Sequence, residues 1–473
     1  MLKQEPKSEP QRKWVALVSI PVLLGHEDEW DQEVVIGTDV LLDLNVPPHP
    51  SYLVLRHRVG PDSRRTDEPR SAHILAADRA ACILLQVVEG NRWDLFLCDT
   101  YKRAVTILPP VPIYIQSKSS EGLAISPHLS IGLIADPHNR GHYEVVQLQS
   151  STSDDQPNRL LCYSTAKSWW FTRDLTLQQA CLRNPFSETG VLAHDGRLWW
   201  LALAYGVFFC DPCTPLLEPP ELRFIPLPAD CELDDYVTFD PRIDQRRCVR
   251  PSEGKLRFVE IRGLSYNEFV DVAPAAKPTI WMWTLDDPEG PNPWRFEYEV
   301  AFAEIWHSKA YADVGLQPGE VPHVALVDPN DHHVVYLFQG SKIFGLNVRK
   351  KVILACKECL IDRDQQMFPS SRPIIDAWEL PDDVAMTTLH KIIMFDRYSP
   401  LLRGKEARGD RTESMDYCRL DESSVNTDAS DKSSVNTGGL FVVCPLVNDE
   451  PKIQVPVFGG HRSAAENKAG RRK

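Results

Sequence analysis

The sequence predicts an all-β fold: a β-propeller-like array of short antiparallel blades, with a partly disordered C-terminal region. Three observations lead there. Short apolar runs are cut by turn residues along the first three quarters of the chain. Proline is frequent, with 38 copies, and Trp occurs 12 times, while long helical periodicities are scarce; both favour turns and strands over helices. One device also recurs: a strand, a polar Asp-led turn, a second strand, and Leu-Pro as a stop.

The elements follow in order. Residues 1–13 are polar and charged and read as a flexible N-terminus. Arg12-Lys13 before the apolar run Trp14 to Leu24 mimics the first regions of a signal peptide. Pro21 interrupts that run and the acidic stretch Glu27-Asp28-Glu29 follows, so a buried first strand is the expected reading. Trp93 to Cys98 ends in Asp99-Thr100, and the next strand ends in Leu108-Pro109-Pro110.

The clearest hairpin is Gly190 to His194, Asp195-Gly196, then Arg197 to Leu203. Asp-Gly supplies the positive φ angles of a type I′ turn, whose twist matches the flanking strands. Gly206 then opens Val207 to Cys210, and its successor ends in Ile225-Pro226-Leu227-Pro228. Ser252-Glu253-Gly254-Lys255 turns into Leu256 to Glu260. Val324 to Val327 ends in Asp328-Pro329-Asn330-Asp331 before His333 to Phe338. Gly340-Ser341-Lys342 turns into Ile343 to Leu346.

Each such unit has an apolar face that it cannot bury alone, and stacking units round an axis solves this. At about 40–50 residues per blade, residues 14–362 hold about seven blades, with five or six equally tenable given long loops. A tandem pair of β domains is the competing arrangement. Residues 363–473 read as a C-terminal extension. Its stretch 403–438, with near-tandem Asp421 to Thr427 and Asp431 to Thr437, is expected to be disordered. The patch Leu440 to Cys444 is a candidate for return to the sheet, and the basic end Arg471-Arg472-Lys473 reads as a solvated tail.

The stretch from Tyr205 to about Gly345 resembles the plant family carrying the domain of unknown function 1618. The residues that carry the resemblance begin with Gly206 to Asp211, Arg223 to Pro228 and Arg247-Cys248-Val249. They continue through Gly254 to Val259, Ile280 to Leu285, Trp294 and Pro322 to Asp328. Trp14 to Leu17 and Gly122 to Ser126 look similar to the family's N-terminal part, so the resemblance spans roughly three quarters of the chain. It implies a β-propeller-like fold, similar in style to the propellers behind F-boxes. No Leu-Pro-x-Asp-Leu F-box helix occurs in residues 1–60, which argues against a ligase-adaptor role. The family's activity is not established, and the resemblance brings no catalytic residues with it.

The formal charge is −14, from 52 basic and 66 acidic residues. An acidic surface repels a phosphate backbone, so no nucleic-acid partner is expected. No apolar run reaches the roughly 18 residues that a membrane helix needs. The 12 Cys are scattered, several within apolar runs, and no Asn-x-Ser/Thr site occurs. Both features fit a reducing, intracellular location, cytoplasm or nucleus.

Several motifs resemble chemical signatures. Cys210/Cys213 and Cys356/Cys359 are two Cys-x-x-Cys pairs, too far apart for an ordinary zinc ribbon. His142-Tyr143-Glu144 with Cys210 to Cys213 imitates a zinc deaminase signature, but Phe209 stands where Pro is needed. His26-Glu27-Asp28-Glu29-Trp30 lacks the second His of a metalloprotease motif. Gly340 to Gly345 reads as a hairpin rather than a phosphate-binding loop. His332-His333 reads as a solvated turn. Of Trp169-Trp170 and Trp199-Trp200, strand alternation sends one ring of each pair inward and leaves the other as a candidate stacking surface.

No catalytic, cofactor-binding or metal-ligating residue is therefore assigned, and no cofactor. The preferred reading is a non-catalytic interaction scaffold whose partner is another protein. The alternative is an enzyme of the hydrolase or sugar-binding class that uses the central funnel. Three or more ionisable groups converging in one deep pocket would favour the enzyme.

Overall fold

A computed structural model describes residues 13–23, 39–56, 59, 70–79, 81–89, 92–111, 131–149, 158–177, 190–215, 218–233, 243–263, 277–359 and 375–380. Five antiparallel sheets follow one another along the chain. Blade one holds β5 (Arg70–Ala77), β6 (Cys82–Glu89), β7 (Arg92–Asp99) and β8 (Ala104–Ile107). Blade two holds β9 (Ile131–Ala135), β10 (Tyr143–Gln149), β11 (Arg159–Ser164) and β12 (Trp169–Asp174). Blade three holds β14 (Gly190–His194), β15 (Arg197–Ala202), β16 (Gly206–Cys210) and β17 (Glu221–Pro226), with β13 (Thr176–Leu177) added in parallel at its edge. Blade four holds β18 (Arg247–Ser252), β19 (Lys255–Arg262), β20 (Thr279–Leu285) and β21 (Trp294–Ala301). Blade five holds β22 (His323–Asp328), β23 (Asp331–Gln339), β24 (Lys342–Asn347) and β25 (Val352–Glu358).

A sixth, mixed sheet joins the two ends of the described chain. In it β26 (Ile375–Glu379) pairs antiparallel with β1 (Trp14–Val18) in the register Trp14 to Glu379. β1 pairs in parallel with β4 (Pro50–Leu55), which also carries β2 (Val22–Leu23) and β3 (Val40–Asp43). The outcome is a propeller ring of five antiparallel blades plus a closing sheet, the low end of the five to seven blades that the sequence allowed. The ring also takes in Ile375–Glu379, past the limit at residue 362 read from the sequence. That limit missed a five-residue strand whose partner lies at the other end of the chain.

Period-2 burial explains why the ring closes. Along β6, Ile83, Leu85 and Val87 pack against the closing sheet, while Cys82 and Leu84 pack against blade two. Along β1, Val15 and Leu17 face blade one, while Ala16 and Val18 face blade five. Successive strand residues point to opposite faces, so a strand buried along its length needs a neighbour on each side. Apolar clusters fill every seam: between blades two, three and four, four and five, five and the closing sheet, the closing sheet and one, and one and two. Burial falls away outward. β16 is buried throughout, whereas the outer strand β25 has only exposed and half-buried positions.

The turns are as expected. In the β14–β15 hairpin His194 pairs with Arg197, and Asp195 and Gly196 both take positive φ, 51° and 69°. The Leu-Pro stops have a second role. Trp170 on β12 donates its ring N–H to Pro109 O at 2.7 Å, just past the end of blade one. Trp294 on β21 does the same to Pro226 O of blade three, also at 2.7 Å. An outer-strand Trp thus caps a carbonyl at the preceding blade's proline stop. Trp14–Val18 is a buried strand, as its sequence suggested. His26 to Trp30, 403–438, Leu440 to Cys444 and the basic end lie outside the described residues.

Candidate functional site

The inner strands β5, β9, β14, β18, β22 and β26 line a central cavity of about 870 Å³. Small residues at the axis, among them Ala76, Ala135, Gly190, Ala193, Ala325 and Ala377, leave that space open. Ionisable residues line it from several blades: Asp78, Arg79, His194, Asp195, Asp244, Arg247, Arg250, His323, Asp376 and Glu379.

Most of these cations are already engaged. Arg79 pairs with Glu379 at 2.7 Å, tying blade one to the closing sheet. Arg250 Nε lies 3.5 Å from Asp376 Oδ1, joining blade four to the closing sheet past blade five, which stands between them. Arg250 also donates to Val249 O at 2.8 Å. Arg247 is 2% exposed; it forms an ion pair with Glu260 and donates to Leu203 O of blade three at 2.9 Å. His323 has its pKa lowered by burial and then by the nearby Arg246 cation, so its imidazole is neutral at neutral pH. Among the described residues, one trio of His, Cys, Asp or Glu has its ligand atoms within 4.8 Å of one another, and none of its members lines this cavity. The lining is rich in charge, and among the described residues no three of its acids and imidazoles bring their ligand atoms within 4.8 Å of one another.

The structure separates the motifs that resembled chemical signatures. Cys210 and Cys213 end β16 and enter its turn in blade three, while Cys356 and Cys359 belong to β25 and the residue beyond it in blade five. Blade four separates the two pairs, so they share no site. Burial raises all four thiols, Cys213 and Cys359 to about 12, which leaves them protonated and unreactive. The nine described cysteines are all free.

The deaminase-like set is not assembled. His142 sits in an exposed turn beside Thr165 Oγ1, at 3.3 Å. Glu144 is buried near Cys213, its carboxyl pKa raised by burial and then by Asp136. Gly340-Ser341 is a hairpin turn, with Gln339 paired to Lys342.

The Trp pairs divide. Trp169 is 54% exposed and Trp170 is 5% exposed, as alternation requires. Trp199 and Trp200 are both buried, at 2% and 0%, so neither is a stacking surface. β15 is the second strand of its blade and has a blade on each face; Trp199 stacks on Phe209 at 4.5 Å and donates to His194 O at 3.1 Å. The pairs Arg79–Glu379 and Arg250–Asp376 had no sequence signal, because their members lie hundreds of residues apart, or more than a hundred, and meet only once the ring closes.

Fold and channel define the class: a β-propeller with a charge-lined axial cavity. Within it, residues 200–336 match the family described as "Protein of unknown function (DUF1618)", the same region that carried the resemblance in sequence. Three solved structures show the range of similarity. The apo AztD structure from Citrobacter koseri is 11% identical, with 60% of this chain and 58% of that chain covered and a TM-score of 0.27. The WD40 domain of SCAP from fission yeast is 10% identical, with 60% and 51% covered and a TM-score of 0.29. The tricorn protease is 9% identical, with 84% and 40% covered and a TM-score of 0.27. The chain spans less than two thirds of each, and TM-scores this low carry no argument. A search of curated proteins gives no match. Among the described residues no helix is long and apolar enough to cross a membrane.

Proposed function

We propose that the chain is a non-catalytic scaffold that binds another protein through the outer strands of its blades. The observation that carries this is where the exposed large apolar side chains lie. Of the nine such residues among those described, five sit on the last strand of a blade: Ile107 on β8, Trp169 on β12, Phe296 on β21, and Val352 and Leu354 on β25, which are 53%, 54%, 48%, 38% and 54% exposed. Outer strands offer unpaired backbone groups as well as apolar side chains, the combination that strand-adding and groove-filling partners use. The channel supports the same reading, since its cations pair with acids that help to hold the ring.

The test is affinity capture from native tissue with the wild type and with the triple variant Trp169→Ser, Phe296→Ser, Leu354→Ser. Loss of specific co-purifying proteins, at an unchanged melting temperature, is the expected result. The same set of proteins on both baits would overturn the reading.

A second reading rests on the cavity itself, whose volume suits a small ligand. Arg250 is 6% exposed, and its Nε has no hydrogen-bond partner among the described residues. An enzyme of the hydrolase or sugar-binding class would use this group with His323. A compound that raises the melting temperature of the wild type but not of Arg250→Met would favour it.

A further inference from the structure

Where the turns of blades four and five meet, three ligand-type side chains converge outside the channel. Glu253, Asp331 and His332 each offer one atom, and these atoms lie within 4.8 Å of one another. His332 Nδ1 is 2.5 Å from Glu253 Oε2. A side-chain pair at that distance can be a plain ion pair, so the case for a ligand rests on how the two turns are held.

They are held rigidly. Glu253 takes a positive φ of 51° in the two-residue turn with Gly254, and its N–H donates to Pro329 O of blade five at 2.8 Å. Ser252 Oγ donates to Asp328 O at 2.6 Å. On the other side, Asp331 Oδ1 accepts the His333 N–H at 2.9 Å, and His332 O accepts the Tyr298 hydroxyl at 3.1 Å. Both turns are thus held largely through the backbone, with Asp331 also fixed through its Oδ1, which is the preorganisation a metal site needs. A further nitrogen lies beside it. The His333 ring lies 4.0 Å from that of His332, tilted by 40°, and its Nδ1 is buried with no hydrogen-bond partner among the described residues.

One cation competes. Arg257 donates to Glu253 Oε2 at 3.1 Å. It also donates to Glu297 Oε1 at 3.0 Å and to Thr284, so it keeps its partners if Glu253 turns away. Arg295 is a second cation nearby, but it is held on Glu297 at 2.9 Å, so Glu253 and Asp331 face the His332 side without a cation of their own beyond Arg257.

We propose that Glu253, Asp331 and His332 bind one zinc-class divalent cation that staples blade four to blade five. An imidazole nitrogen with two carboxylates suits zinc and its first-row neighbours, whereas calcium and magnesium prefer all-oxygen sites. All three ligands lie within residues 200–336, the segment that matches the family. The staple is independent of the outer-strand scaffold reading.

The test titrates chelator-buffered ZnCl2 into the full chain. One ion per chain is expected, with a rise in melting temperature because the ion binds only the folded state, and no rise with MgCl2. Glu253→Gln and His332→Ala should each weaken binding by at least the roughly tenfold that losing even an outer-shell partner of a metal costs. X-ray absorption of the zinc-loaded wild type reads the donors directly and does not depend on the variants folding. A shell of nitrogen and oxygen with an imidazole signature supports the site. No saturable binding, or a sulfur shell that places the ion on cysteines, overturns it.

Discussion

Single residues show how burial decides chemistry here. Asp43 on β3 is the clearest titrating case. Burial raises its pKa from 3.8 to about 6, against a weaker lowering by Asn45. Between those two values the folded chain holds a proton that the unfolded chain releases. Stability from this group is thus full at low pH, falls as pH rises from about 4 to about 6, and stays reduced above. Asp43→Asn should raise the melting temperature at pH 7.5 and change it little at pH 3.5, below the unfolded value. An equal shift at both pH values would refute the assignment. Arg173 shows the opposite device, a buried cation with many acceptors. It donates to Pro212 O, Thr214 O, Thr214 Oγ1, Pro215 O and Glu218 O at 2.6–3.0 Å, clamping a blade-three loop to blade two. Arg173→Met leaves those acceptors unsatisfied and should cost about 3 kcal/mol in urea unfolding. It should also expose Cys213, read as faster alkylation of the native protein.

At the scale of elements, hairpins were the most legible part of the sequence. Asp195-Gly196, Glu253-Gly254 and Gly340-Ser341 each turn the chain where their residue types require. Gly206 has a different reason to be glycine. A Cβ there would lie 2.3 Å from the Phe224 ring and 2.5 Å from Ile225 O on the paired strand β17. Gly206→Ala should therefore destabilise by about 1–3 kcal/mol, the usual cost of overpacking. Unfolding at the wild-type urea midpoint would count against so tight a β16–β17 contact. Trp199-Trp200 marks the limit of such reading. Alternation correctly gave opposite faces, but it could not tell that both faces of β15 are covered by neighbouring blades.

The whole molecule depends on closure. β26 joins β1, and Trp378 on β26 is 2% exposed, donating its ring N–H to Asp78 O of blade one at 3.0 Å. A chain ending at residue 362 lacks this strand and leaves the apolar edge of β1 uncovered. It should lose cooperative thermal unfolding, while a chain ending at residue 380 should keep it. If both truncations melt alike, the closing sheet does not hold the ring. Trp378→Ala should cost about 3–5 kcal/mol, as for other large buried aromatics.

The sequence by itself determined the local grammar of this protein: period-2 apolar runs, Asp-led and Gly-containing turns, and proline stops, hence short antiparallel strands that must stack. These are properties of neighbours along the chain, where steric and hydrogen-bonding preferences act directly. Only the tertiary structure decided the number of blades, the pairing of β1 with β26, and which charges meet across the axis or between turns. Those depend on packing between surfaces brought together from hundreds of residues apart, and the free energy of such contacts leaves no mark on the local pattern of either partner.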